Sequence, residues 1–261
     1  MPLPSLLLET LGASLAGMFA LWLVSLWLRD ASIVDIFWGP LAGLIAAVAW
    51  GLGDAHTPRS HLVVVLTLLW GLRLGLYLLW RNAGQGEDFR YRAMRERQGP
   101  TFALKSLVSV FGLQAVLMWL VSWPAQAAIH APAPASLGAL DLLGGVVFSF
   151  GLLFESVGDW QLARFKADPA NRGRVMDRGL WSWTRHPNYF GDFTVWWGLF
   201  CFAAATGAWW SAVGPALMSF LLIRVSGKAM LERHLRGSKP GWKEYAERTS
   251  GFFPRPPRRA A

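Results

Sequence analysis

The stretch Gly179-Leu-Trp-Ser-Trp-Thr-Arg-His-Pro-Asn-Tyr-Phe-Gly-Asp192 gathers Trp181, Trp183, Arg185, His186, Asn188, Tyr189 and Asp192 between a basic loop and a long apolar segment. Pro187 lacks a backbone donor and suits the first turn of a helix, while His186 before it is driven toward extended geometry. A loop therefore ends and a helix begins here. A helix N-terminus carries free N–H groups and a partial positive charge. With the Arg185 guanidinium alongside, the chemistry on offer is recognition of an anion such as a phosphate. The plainer reading of the same residues is an aromatic belt at a membrane surface, with Arg185 as an orienting charge.

Other groups have comparable promise. Asp35 lies near the start of an apolar segment, in Ile33-Val-Asp-Ile-Phe-Trp-Gly-Pro40. It either complements a helix dipole or pairs with Arg29, or it faces inward beside Trp38 as a carboxyl able to donate a proton. Arg73, Tyr77 and Arg81 are spaced to share one helical face. The loop over 81–92 holds Glu87, Asp88, Arg90 and Tyr91, which either form a salt-bridged turn over a pocket or are simply solvated. Glu155 and Asp159, one helical turn apart, precede a loop with Arg164, Lys166, Arg172, Arg174 and Arg178. The acids either pair with those cations or accept hydrogen bonds from a ribose or carboxamide. The cations form a lipid-headgroup patch or a phosphate site, and direct continuation into 179–192 favours the phosphate. Arg224, Lys228 and Glu232 follow at i,i+4 spacing. The aromatics Trp242, Tyr245 and Phe252-Phe-Pro254 predict a tail folded back under the protein, with 255–261 left as a basic, disordered, lipid-touching end.

The elements that must position these groups are membrane helices. At 54% hydrophobic residues with 16 Trp in 261 positions, the chain has more apolar surface than one soluble core of this length buries. An all-α, polytopic membrane helical bundle is the fold class this predicts. A hydrocarbon core about 30 Å thick needs roughly 20 apolar residues per helix. Segments 6–28, 33–52, 61–80, 104–129, 137–160, 189–208 and 209–225 then give seven spans in a single domain over 1–254. The net charge of +9 concentrates in 81–105, in 164–185 and after 224. By the positive-inside rule these regions are cytoplasmic, which puts the N-terminus outside and the C-terminus inside. Anionic membrane lipid explains the basic residues more simply than nucleic acid does. Cys201 stands alone, so no intramolecular disulfide is possible. Neither a metal site nor an obligate protein partner is implied.

The 179–192 motif, with Trp242, Tyr245 and Phe252-Phe-Pro254 downstream, resembles the C-terminal signature of membrane sterol reductases and steroid 5α-reductases. It looks most like the bacterial DUF1295 membrane proteins of that superfamily. Val34-Asp-Ile-Phe-Trp-Gly39 and Glu87-Asp-Phe-Arg-Tyr91 extend the likeness over most of the chain. The resemblance implies an inner-membrane reductase that binds NADPH from the cytoplasmic side and reduces a carbon–carbon double bond in a lipid-soluble, steroid-like or enone substrate. It implies a cofactor cleft within about 154–254, drawing on Glu155, Asp159, Lys166, Arg174, Trp181, Arg185, His186, Asn188, Tyr189, Asp192, Arg224, Glu232 and Tyr245. Hydride would pass to the β-carbon of an enone while an acid hydrogen-bonds its carbonyl. Asp35 stands for the carboxyl that steroid 5α-reductases carry on their second helix, but the place of their third-helix tyrosine falls near Trp70. Tyr91 or Tyr77 is left to substitute, and Asp35, Tyr91 and Glu87 form the catalytic candidates. Two other likenesses compete. Isoprenylcysteine and phospholipid methyltransferases also carry Arg-His-Pro-x-Tyr-x-Gly, there binding S-adenosylmethionine, but they place two adjacent glutamates after the final helix, where Arg233 here follows Glu232. The lamin B receptor shows that such a bundle can serve as a non-catalytic lipid-binding module.

Overall fold

The structure is a computed structural model that describes residues 1–54, 56–225, 232 and 240–257. Among the described residues the regular structure is helical, and an isolated bridge joins Thr184 to Ser250. The fold is thus all-α, as composition and periodicity predict. Two compact units emerge, one of Met1–Gly138 with Phe202–Val213, the other of Ala139–Cys201 with Gly214–Ala261.

The first unit contains α1 (Leu3–Leu28), α2 (Ile33–Ile36), α3 (Trp38–Leu52), α4 (Pro58–Asn82), α5 (Phe89–Gln98), α6 (Phe102–Ser106), α7 (Leu113–Val121) and α8 (Trp123–His130). Local chemistry sets the boundaries. Thr57 accepts a hydrogen bond from the Ser60 amide at 3.1 Å, and Pro58 takes the first position of α4. Pro40 has no N–H to return to the Ile36 carbonyl, and the apolar segment 33–52 breaks there into α2 and α3. The backbones of α3 and α4 then touch. A Cβ on Gly39 would lie 2.5 Å from the Gly71 carbonyl oxygen, and one on Gly75 would lie 2.6 Å from Pro40 Cγ. Helices in lipid associate through such close approach rather than through a hydrophobic effect. Between α6 and α7 runs a π-helical segment, Leu107–Gly112. At the far end of the unit the buried Arg59 donates to the Pro134 and Ser136 carbonyls at 2.7 and 3.3 Å, fixing the loop after α8. Arg73 and Arg81 lie 5.6 and 5.7 Å from the Tyr77 ring centroid, the shared face their spacing predicts.

The second unit contains α9 (Ala139–Ala167), short 3₁₀ turns at Pro169–Asn171 and Gly179–Ser182, and α10 (Pro187–Ala204), which begins at the proline as predicted. It continues with α11 (Val213–Phe220), a π-helical turn Leu221–Val225, and α12 (Trp242–Arg248). Helices α9 and α10 meet along a seam of four glycines. A Cβ on Gly151 would fall 2.7 Å from the Val195 amide, one on Gly191 2.6 Å from Glu155 Cβ, and one on Gly198 2.6 Å from the Phe148 amide. Gly158 faces Asn188 and Pro187 at 3.2 Å. On each helix the glycines are seven residues apart, two turns along one face.

Among the described residues four helices are long and apolar enough to cross a membrane: Leu3–Leu28, Pro58–Asn82, Phe89–Val121 and Ala139–Ala167. Trp38–Leu52 and Trp209–Val225 are shorter apolar helices. The chain is therefore an integral membrane protein, with four of the expected segments meeting the spanning criterion among the described residues. Of the expected basic tail, Arg255 donates its amide to the Trp183 carbonyl at 3.0 Å, and 258–261 lie outside the described residues, as do Lys228 and Arg233.

Candidate functional site

In the first unit the turn before α2 and the start of α5 are laced together. Asp88 caps α5, accepting from the Arg90 amide at 2.9 Å and the Arg90 Nε at 2.8 Å. Burial raises the Asp88 carboxyl, but the Arg90 hydrogen bonds and charge outweigh it and hold the group below the usual carboxylate range. Arg90 reaches on to Asp35, and the neighbouring Tyr91 hydroxyl donates to Asp35 Oδ1 at 2.7 Å. Gln114 Nε2 donates to the Tyr91 oxygen at 3.4 Å, and the Arg90 guanidinium lies 5.2 Å from the Tyr91 ring centroid. The result is a tyrosine and a carboxylate joined directly and flanked by a fixed cation. Tyr91 is 6% exposed, whereas the Asp35 and Arg90 side chains remain 26% and 31% exposed. Asp35 thus pairs with Arg90 rather than with Arg29.

Glu87, the third catalytic candidate, is a strut. Its Oε1 accepts from the Ala31 amide at 2.8 Å and from Arg95 Nη2 at 2.7 Å, and Oε2 accepts from Arg95 Nε at 3.0 Å. This forked pair ties the turn before α2 to α5 and holds the Asp35–Tyr91 contact in place.

In the second unit the buried acids Glu155 and Asp159 of α9 and Asp192 of α10 lie along the glycine seam. Asn188 Nδ2 donates to Asp159 Oδ1 at 3.2 Å. His186 is buried and stacks flat on Tyr189, with centroids 5.4 Å apart. Trp181 is buried and donates Nε1 to the Gly158 carbonyl at 3.0 Å. Tyr245 is also buried and donates to the Trp181 carbonyl at 2.7 Å; burial, with smaller electrostatic effects, pushes its phenol well above the ordinary range. Lys166, Arg174 and Arg224 are exposed. Arg185, read from sequence as the phosphate ligand, points inward instead. Its Nε donates to Glu232 Oε1 at 2.9 Å and its Nη1 to the Ala246 and Thr249 carbonyls, both at 2.8 Å. An open cavity of about 600 Å³ beside it is lined by Trp242, Lys243, Glu244 and Glu247. The carboxylates of Glu244 and Glu247 stand there with the cations of Arg185 and Lys243.

The profile of a family described as a protein of unknown function (DUF1295) matches residues 21–249. The chain belongs to the DUF1295 family. An uncharacterized Schizosaccharomyces pombe protein is 26% identical over 269 residues, covering 90% of this chain and 76% of the relative. "Probable O-methyltransferase ustE" of Ustilaginoidea virens is 32% identical over 113 residues, covering 43% of this chain and 34% of that protein. No solved structure matches the chain. The family match spans both the Asp35–Tyr91 cluster and the 179–192 motif of this DUF1295 member.

Glu232 has a measurable signature. Burial pushes its carboxyl up, but hydrogen bonds from His186 and Arg185 and their charges prevail and hold it at about 2. A carboxyl depressed on folding contributes stability that is present above its unfolded value near 4.5 and is lost as pH falls through about 2. Glu232→Gln should therefore be less stable than wild type at neutral pH, with the gap in Tm closing between about pH 4.5 and 2. A gap that stays constant over that range would remove the ion pair from the account.

Sequence reasoning missed the carbonyl acceptors at Ala246 and Thr249 and the hydroxyl of Thr184, which donates to the Phe252 carbonyl at 2.7 Å. Backbone acceptors carry no residue-type signal. Gln114 is legible only as a polar residue in an apolar run.

Proposed function

We propose that this DUF1295 protein is an NADPH-dependent reductase of a carbon–carbon double bond conjugated to a carbonyl in a lipid-soluble substrate. The observation that carries the reading is the 2.7 Å hydrogen bond between Tyr91 and Asp35. A reductase of this kind needs a hydroxyl or carboxyl to polarise the enone and to protonate the enolate, and Tyr91 supplies that role where the third-helix position holds Trp70. The Tyr91 proton turns from Asp35 to the substrate carbonyl as the oxygen gains charge. Arg90 over the ring and the Gln114 amide offset the negative charge left on the phenol beside the Asp35 carboxylate, which keeps its ion pair with Arg90, and a proton from solvent water restores the hydroxyl.

For a dinucleotide the donor chemistry fits. Arg164, Lys166, Arg172, Arg174 and Arg178 are exposed around the Pro169–Asn171 turn and match phosphate charge, and Asn188 with Asp159 offers an amide and a carboxylate for hydroxyl or carboxamide groups. When bound, NADPH supplies the hydride. A cytoplasmic cofactor face and a bacterial inner-membrane location belong to the same proposal, because the cation-rich loop is the one that charge asymmetry assigns to the inside.

A second reading, S-adenosylmethionine-dependent methyl transfer, draws on the 113-residue likeness to the Ustilaginoidea virens protein. One experiment separates the two. Detergent-purified protein is heated with NADPH, NADH or S-adenosylmethionine, since a ligand that binds the folded state raises its Tm by mass action. We expect NADPH at 100 times its dissociation constant to stabilise by about 2.7 kcal/mol and S-adenosylmethionine to leave Tm unchanged. Stabilisation by S-adenosylmethionine alone would replace the reductase with a methyltransferase, and no shift with any of the three would favour a non-catalytic lipid-binding module.

A further inference from the structure

We infer that Arg185 is the fastening of a C-terminal strap and not a ligand to a bound phosphate. Its guanidinium bridges Glu232 and the carbonyls of Ala246 and Thr249. Those carbonyls belong to the last turn of α12 and the residue after it, where a helix leaves unsatisfied acceptors and a partial negative charge. A planar cation with several donors answers both needs at once. The Arg185 side chain is 12% exposed and that of Glu232 8%, so the pair is shielded from water.

The same loop grips the strap at other points. The Arg185 amide donates to the Ser250 carbonyl at 2.9 Å, the Thr184 hydroxyl to Phe252, the Arg255 amide to Trp183, and the Tyr245 hydroxyl to Trp181. Phe252 and Phe253 then pack on Phe190 and Phe193 of α10 at centroid distances of 5.7 to 6.3 Å. Residues on both sides of the α10 N-terminus are thus held by chain that lies 59 to 72 positions downstream. Recognition of any ligand at that helix start depends on the strap being seated. The inference stands apart from the choice of cofactor.

The test uses the full chain in detergent with no cofactor added. Breaking a shielded ion pair costs several kcal/mol, which for a protein of this size is on the order of 10 °C in Tm. We expect Arg185→Ala to lose about that much, and trypsin to cut after Arg248 at least tenfold faster than in wild type. Arg185→Lys discriminates further and serves if the alanine variant does not fold. Lysine keeps the charge but cannot fork across three acceptors, so a strap fastening loses most of its stabilisation even as lysine. A group kept only to neutralise phosphate behaves oppositely: without the phosphate its removal relieves repulsion among cations, and Tm holds or rises. Wild-type Tm and wild-type trypsin resistance in the lysine variant would overturn the strap.

Discussion

Leucine in place of Gly191 is expected to prevent the second unit from forming, leaving no monodisperse protein or one whose Tm is lower by more than about 10 °C. The contact at this position is backbone to backbone. A Cβ there would lie 2.6 Å from Glu155 Cβ and still closer to the Glu155 amide, so no change of rotamer relieves the clash. The two helices would have to separate, and separation breaks the register that brings Asn188 to Asp159. Overpacking costs typically 1–3 kcal/mol where neighbours can yield, and here the neighbour is a helix axis. Gly12→Leu is the matched control, because nothing lies within 4 Å of a Cβ built at Gly12. Equal stability of the two variants would show that the glycine seam does not hold α9 and α10 together.

Tyr91→Phe should lower turnover of an enone substrate by roughly 10²- to 10⁴-fold, the range of a positioned proton donor, with NADPH-induced stabilisation unchanged. The substitution removes one oxygen and leaves the ring packed against Arg90, so the loss is chemical more than structural. Asp35→Asn should lose a similar factor, because Tyr91 and Arg90 both lose an ionised partner. Groups that act through one hydrogen bond are not additive, and the double variant should be little worse than either single one. NADPH oxidation over a panel of hydrophobic enones reads this out. Wild-type rates in Tyr91→Phe would reduce the cluster to a brace between α2 and α5.

Local relations were legible in the sequence and distant ones were not. The face shared by Arg73, Tyr77 and Arg81 follows from helical spacing alone, and the start of α10 follows from Pro187. Asp35 and Tyr91 were each recognisable as chemical groups, yet their union spans 56 positions, and Arg29 stood nearer in sequence than the true partner Arg90. Arg185 shows the same limit from the other side. A guanidinium beside a helix N-terminus invites an anion, but the carbonyls at the end of α12 that claim it are 61 and 64 residues away. The glycine seam escaped notice because glycines are common in membrane helices and gain meaning only when the facing helix and its register are known.

The strap also imposes an order on biogenesis. Arg185 is made some 60 residues before Ala246 and Thr249, a delay of roughly 3–12 s at about 5–20 residues per second. Throughout that interval a nascent chain carries its arginine beside the start of α10 with neither of those carbonyls to receive it. This unit therefore closes only after its last aromatics, Phe252 and Phe253, have left the ribosome.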